Sequence, residues 1–146
     1  MGQERRRRCD QVANDLREVA RALVGRLRAE SADQALSMSQ SAVLVRLHKS
    51  GPSTVADLAR AEHVTAQSMG ATVASLEEEG LIARTIDPND ARRWNAFLTE
   101  VGKRTFLAGR AARQAWLSHA LEERLDDGEV RRLADAVALL RKVLDE

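Results

Sequence analysis

A mainly α-helical chain with one small β-hairpin is what this sequence predicts, on three observations. Apolar residues recur at spacings of three and four over most of the length, and only two Pro interrupt the 146 residues. The helical pattern gives way once, between Gly80 and Thr99, to two short strand-like runs around a turn-rich segment. The composition, 44% hydrophobic and 31% charged with two Phe, two Trp and no Tyr, leaves aliphatic side chains to form the core.

Residues 1–9, with Arg5-Arg6-Arg7-Arg8, lack the helical pattern and are expected to be a disordered basic arm. From Asp10 to about Glu30, Val12, Leu16, Val19, Leu23 and Leu27 mark a long amphipathic helix, and Ser31–Met38 reads as a connector. Ser39 is placed to cap a second helix from Gln40 to about His48, with Ala42 or Val43, Leu44 and Leu47 inward. Gly51-Pro52 ends it, and Ser53 or Thr54 caps a short helix running to Glu62 with Val55 and Leu58 inward.

Thr65 then caps a helix extending to Glu79. Met69, Val73 and Leu76 form its apolar stripe, while Gln67, Ser68, Ala71, Thr72 and Ser75 fall on the other face. Gly80 supplies a left-handed stop. The strand-like runs are Leu81–Ile86 and Asn95–Thr99, with the loop Asp87–Trp94 between them. Glu100–Gly102 leads into a helix from Lys103 to about Leu125, broken at Asp126-Asp127-Gly128. A last helix follows, its stripe Val130, Leu133, Val137, Leu140 and Leu144 close to heptad spacing. Helix, turn, helix and hairpin outline a winged helix-turn-helix over residues 36–100, whose second helix enters a DNA major groove.

The end segments, 10–35 and 101–146, carry apolar stripes that so small a core has no surface to cover. A two-fold dimer in which end helices of both copies interdigitate is the simplest solution.

A net charge of +1 is no nucleic-acid signature, and its distribution says more. Residues 1–30 hold eight Arg against five acids, residues 31–100 six bases against nine acids, and residues 101–146 nine against eight. The reading region is formally acidic, yet Glu77–Glu79 sit at the far end of its second helix while Arg84, Arg92 and Arg93 gather on the hairpin. No apolar run approaches a membrane span, and the N-terminus lacks the apolar segment of a signal peptide, so the expected location is cytoplasmic. The single Cys9 excludes an internal disulfide; His48, His63 and His119 lie on separate elements without paired ligand spacing, so no metal or cofactor is expected. There is no nucleophile elbow, phosphate-cradling glycine loop or catalytic His/Cys/carboxylate set, and an enzyme is not expected.

Three segments bear a more specific resemblance: Gly80-Leu81-Ile82-Ala83-Arg84, Asp87-Pro88-Asn89-Asp90-Ala91-Arg92, and Leu98-Thr99-Glu100-Val101-Gly102. Together with Leu36-Ser37, Gln40 to Leu47, and Val55-Ala56-Asp57-Leu58-Ala59 upstream, they resemble the MarR (multiple antibiotic resistance regulator) family across about residues 10–145. The resemblance implies an obligate homodimer on pseudo-palindromic double-stranded DNA, usually a repressor released by small phenolic or lipophilic ligands or by thiol oxidation. It matches Arg92 to a wing-tip arginine that enters the minor groove, Asp90 to the acid that orients it, and Arg84 to a position that supports the wing or contacts the DNA backbone. A narrow minor groove concentrates negative potential and favours a guanidinium.

Arg93 is within reach of a phosphate, and Trp94 is expected to anchor the wing base. Ser53, Thr54, Thr65, Gln67, Ser68 and Thr72 have short polar side chains suited to phosphates and base edges, with Gln67 the best reader of adenine. Many relatives place a basic residue on the exposed face of this helix, where this chain has Ala71 and Ser75. That departure, with the acidic reading region, leaves open a winged-helix module that binds protein instead of DNA. For the effector, a cleft between the end helices and the reading head with Arg46, His48 and Trp116 as lining is one reading. Thiol sensing through Cys9, flanked by Arg7 and Arg8 but without any Tyr to hold a thiolate, is the other.

Overall fold

The computed structural model describes residues 2–30 and 35–144; Met1, residues 31–34 of the expected connector, and residues 145–146 lie outside the described residues. The chain runs α1 (Gly2–Ala29), α2 (Met38–Ser50), β1 (Ser53–Thr54), α3 (Val55–Ala61), α4 (Ala66–Glu78), β2 (Ile82–Asp87), β3 (Asp90–Leu98), α5 (Glu100–Arg124) and α6 (Asp127–Val143). The three strands form one antiparallel sheet in the order β1-β3-β2.

Four boundaries differ from the expectation. Helix α1 starts at Gly2, so the segment expected to be a disordered arm forms its first turns. Arginine is a strong helix former, and Glu4 and Arg8 pair one turn apart at 3.5 Å, so nothing between Gly2 and Asp10 stops the helix. Ser37, not Ser39, caps α2. Its hydroxyl accepts from the Gln40 amide at 3.1 Å while Gln40 Oε1 accepts from the Ser37 amide at 2.7 Å, a reciprocal box that Ser39 has no partner to build. Helix α5 starts at Glu100, capped by Thr99. The hairpin loop is far shorter than Asp87–Trp94: β3 starts at Asp90, and Asp87 and Asp90 face each other across Pro88-Asn89.

The core of the reading head comes from five of its elements at once. Val43, Leu44 and Leu47 of α2, Leu58 of α3, Met69, Val73 and Leu76 of α4, Ile82 of β2, and Ala96 and Leu98 of β3 are buried together. Helix spacing supplies the first three sets and strand alternation the last. Gly80 turns the chain out of α4 at φ 73°, a conformation that costs other residues a Cβ clash. The next contact explains the Gly at the end of the Leu-Thr-x-x-Gly run. Thr99 N donates to Leu81 O at 3.1 Å and Thr99 Oγ1 to Gly80 O at 2.6 Å, drawing the first turn of α5 onto this backbone. A Cβ on Gly102 would overlap the Leu81 carbonyl.

The end helices behave differently. Neither α1 nor α6 contributes a buried residue. Val19 remains 64% exposed and Val137 43%, with Val12, Leu16, Leu23, Val130 and Leu133 exposed beside them. Among the described residues no helix is long and apolar enough to cross a membrane.

Candidate nucleic-acid interface

Helix α4 turns its apolar stripe into the core and leaves Thr65, Ala66, Gln67, Ser68 and Ala71 exposed. Thr65 Oγ1 accepts from the Ser68 amide at 3.1 Å, so the N-terminal turn is ordered and the Gln67 side chain stands outward. Thr72 is half-buried and its hydroxyl donates to the Ser68 carbonyl at 3.2 Å. Ser75 is not on the outer face. Its hydroxyl accepts from Gln40 Nε2 at 3.0 Å, because the helical turn carries position 75 round toward α2.

The acids of the reading region are also placed differently from a negative surface. Glu77 receives Arg84 Nη2 at 2.6 Å and Nε at 3.0 Å, which fastens β2 to α4 and holds the guanidinium above its ordinary pKa. Glu79 accepts from the buried Gln40 at 2.9 Å. Glu78, between them, is exposed to solvent. Gln40, half of a capping box and a bridge to the far end of α4, escaped sequence reasoning; the Ser37-x-x-Gln40 spacing was the available signal.

The hairpin tip is built by its aspartates. Asp87 Oδ1 accepts from the Asn89 amide at 2.8 Å and Oδ2 from Asn95 Nδ2 at 3.0 Å; these bonds, the Asn89 amide first, hold its carboxyl below the usual range. Asp90 Oδ1 accepts from the backbone amide of Arg92 at 3.0 Å. Asp90 therefore fixes the main chain at Arg92 and does not orient its guanidinium, which has no carboxylate partner among the described residues. The pairing register shifts between Ile86 and Asp87: Ile86 faces Trp94 and Asp87 faces Asp90, leaving Ala91, Arg92 and Arg93 without a strand partner. An irregularity of this kind re-aims side chains, and here it carries both arginines. Arg93 Nη2 meets Asp57 Oδ2 at 3.2 Å. Trp94 does not anchor the wing base by burial, being 53% exposed opposite an equally open Ile86.

Two further residues serve the fold. Thr54 is 8% exposed; its hydroxyl donates to Asp57 Oδ2 at 2.8 Å and accepts from the Asp57 amide at 3.1 Å, leaving little surface for a phosphate. Ser53 is half-buried in β1, with its hydroxyl directed to Gly51 O at 3.3 Å.

The expected effector residues do not meet. Arg46 pairs with Glu62 at 2.7 Å, His48 lies against Phe106 with ring centroids 4.5 Å apart, and Trp116 sits under Arg26 at 5.3 Å. Spacing along a chain could not show that these point to different sides. A cavity of about 340 Å³ opens instead between α1, α2 and α5, lined by Val24, Leu27, Leu36, Leu44, Val45 and Phe106, with Arg28 and Arg113 also in its wall. Cys9 is exposed on α1, beside a trough shared with Arg5, Arg8, Val12, Leu16, Leu140 and Val143. Among the described residues no cluster of His, Cys, Asp or Glu could hold a metal ion.

Known proteins give this arrangement its context. The sequence model of the MarR family matches residues 36–94, from the last turn before α2 to the hairpin. An HTH-type transcriptional regulator of Mycobacterium tuberculosis is 33% identical over 135 residues, covering 92% of this chain and 94% of the relative. A solved putative transcriptional regulator from Pseudomonas aeruginosa is 34% identical, with a TM-score of 0.81 over 93% of this chain and 95% of that one. A MarR family protein from Bacillus stearothermophilus, 24% identical, shares the fold at a TM-score of 0.81 over 96% and 97% of the two chains. The resemblance read from the hairpin residues, the winged helix-turn-helix and the similarity over nearly the whole length agree: the chain belongs to the MarR family of DNA-binding transcriptional regulators, and it is not an enzyme.

Proposed function

We propose that two copies of the chain bind a pseudo-palindromic operator as a repressor, each laying the N-terminal half of α4 in a major groove and Arg92 in the adjoining minor groove. One observation carries this reading: the exposed Thr65–Ser68 turn stands on the same head as a hairpin whose tip arginine is held by its backbone and has no carboxylate partner among the described residues. Gln67 reads a base edge, Thr65 and Ser68 contact the backbone, and Arg93 a neighbouring phosphate. Arg84 acts by bracing the wing on Glu77. The acids that spoke for a protein-binding module weaken that alternative, since Glu77 and Glu79 are engaged within the fold.

Dimerisation follows from the uncovered faces of α1 and α6. A two-fold pairing covers both and sets two heads about one duplex turn apart, about 34 Å. Release is assigned to a small phenolic or lipophilic ligand in the α1–α2–α5 cavity, whose apolar wall suits a ring and whose Arg28 and Arg113 suit an acidic substituent. Sensing through Cys9 is the lesser reading, resting on its exposure beside Arg5 and Arg8.

The test is selection of duplexes from a random pool by the purified protein, followed by titration of the enriched sequence. An inverted repeat with half-sites about one turn apart, and similar weakening by Arg92→Ala on operator and unrelated duplex with a salt slope flatter by about one phosphate-equivalent, are expected. No enriched repeat and no salt-dependent binding would overturn the reading.

A further inference from the structure

The groove between α3 and the hairpin carries a charge arrangement that neither the major-groove helix nor the wing tip accounts for. Asp57, on the first turn of α3, accepts Thr54 Oγ1 at 2.8 Å, Arg60 Nη1 at 3.0 Å and Arg93 Nη2 at 3.2 Å. One carboxylate thus gathers two guanidinium groups from two elements, α3 and β3. Both arginine side chains stay open to solvent, Arg60 at 76% and Arg93 at 51%. Each contact uses one nitrogen of a five-donor fork and leaves the others free. Trp94, on the wall of the same groove, is more than half exposed.

We propose that Asp57 is a positioning residue that sets Arg60 and Arg93 as a pair against one phosphodiester of the bound duplex, with the exposed ring of Trp94 against the adjoining deoxyribose. The proposal rests on the DNA-binding reading above and adds to it a backbone contact from α3. A duplex seated on α4 and on the wing tip carries one strand between the two grooves. Beside them lies the first turn of α3, which packs on α4 and is tied to the hairpin by the Arg93–Asp57 contact, with Arg60 on the same groove. The cluster is net positive by one charge, which suits a single phosphate. Fixing a flexible arginine side chain in one rotamer on binding costs conformational entropy, and a carboxylate that holds it beforehand removes part of that cost. The carboxyl of Asp57 lies below its ordinary range, chiefly through the Thr54 hydroxyl and then Arg60, so it is ionised wherever duplex binding is measured.

Charge and positioning predict opposite signs for one substitution. Asp57→Asn makes the groove one unit more positive. Acting only as a counter-charge, Asp57 opposes DNA, and its removal tightens binding and steepens the salt dependence. As a positioning residue, its removal weakens both. The experiment is titration of a labelled mixed-sequence duplex of about three helical turns, at several salt concentrations, by the parent chain, Arg60→Ala, Asp57→Asn and Arg124→Ala. Arg124, in the last turn of α5, controls for loss of a distant charge. Thermal melting fixes a temperature at which every variant is folded.

Arg60→Ala is expected to bind about fivefold or more weaker, with a slope flatter by about one phosphate-equivalent. Asp57→Asn is expected about threefold or more weaker with a flatter slope, and Arg124→Ala unchanged. Unchanged affinity and slope for Arg60→Ala, or equal or tighter binding by Asp57→Asn, overturn the proposal while the DNA reading stands. A lower melting point for Asp57→Asn with an unchanged salt slope means the contact is only a brace, which overturns it as well. Failure of the parent chain to bind any duplex removes the DNA reading and this contact with it.

Discussion

The reading head and the end helices solve the same problem in opposite ways. In residues 36–106, α2, α3, α4, β2 and β3 turn aliphatic side chains into one core, and Leu44, Leu58, Met69, Leu76 and Ile82 are fully buried. In α1 and α6 a helical stripe of similar composition leaves no residue fully buried, and Leu16 and Leu133 are left 39% and 41% exposed. Apolar spacing alone does not distinguish the two cases; what differs is whether the chain supplies its own cover. On the dimer proposed above, a head that closes on itself is expected to keep its shape in a single copy, while the ends gain theirs from association. Stability and assembly would then rest on different residues, and substitutions can separate them.

The largest expected effect lies at the ends. A two-fold interface meets each substitution twice, so Leu16→Asp or Leu133→Asp should weaken dimerisation by about 4 kcal/mol, roughly a thousandfold. Sedimentation checks this, with a monomer expected at micromolar concentration. The hairpin and α4 should keep native amide chemical shifts in that monomer; loss of the head's dispersion along with the dimer would mean the two regions are one cooperative unit.

Next is Gly102→Ala, which strikes the head where α5 lies on it. Its Cβ meets backbone, the Leu81 carbonyl, so no side chain can swing aside. A cost of about 3 kcal/mol is expected, corresponding to a fall in Tm on the order of 10 °C. Calorimetry of this variant against Gly128→Ala, where the nearest atom is an Asp126 side-chain oxygen at 3.1 Å, isolates the backbone clash. Equal melting points would mean α5 does not ride on the hairpin in solution.

These positions also mark what could be read from the sequence. The stripes of α4 and the inward residues of α2 were legible because a 3.6-residue period constrains many positions at once. The Thr65 and Gly80 boundaries were legible because capping is local chemistry, and both hold. The hairpin loop was misjudged because Asp, Asn, Pro and Arg look the same in a loop and in a strand with shifted register, and only cross-strand pairing distinguishes them. Ser75 was misassigned because a polar residue at a helix flank has two possible surroundings, and its partner Gln40 lies 35 residues away. Of the candidate site, residue types were visible and partners were not. Asp57 carries the resemblance but no site role in the sequence, and Arg60 carries neither, since nothing local links them to Arg93.

A smaller effect tests the joint between α3 and α4. His63 holds φ 55°, the left-handed region, where Gly carries no Cβ penalty. His63→Gly exchanges that strain against a more flexible unfolded chain and should stabilise the head by about 0.5–1 kcal/mol. The gain should appear in the melting of the Leu16→Asp monomer as fully as in the dimer, because the turn belongs to the head alone. A gain confined to the dimer would tie this turn to the interface and blur the division between the two regions.

The smallest effect is in the hairpin tip, the part of the head farthest from its core. Asp87 has a folded-state pKa below its unfolded value, with the Asn89 amide as the main cause and Asn95 next. A depressed carboxyl contributes order that is fully present above the unfolded pKa, about 3.9, and is lost as pH falls through the folded one. The Asn89 amide and Asn95 side-chain resonances should therefore hold their shifts down to about pH 4 and move together below it, while Val73 and Leu76 of α4 stay fixed. Asp87→Asn, which keeps an acceptor for the Asn89 amide and carries no charge, should remove that acid transition and leave the tip ordered. If the resonances of α4 titrate with those of the tip, the acid-sensitive unit is the whole head, and the wing cannot be treated as an independently ordered finger on a rigid base.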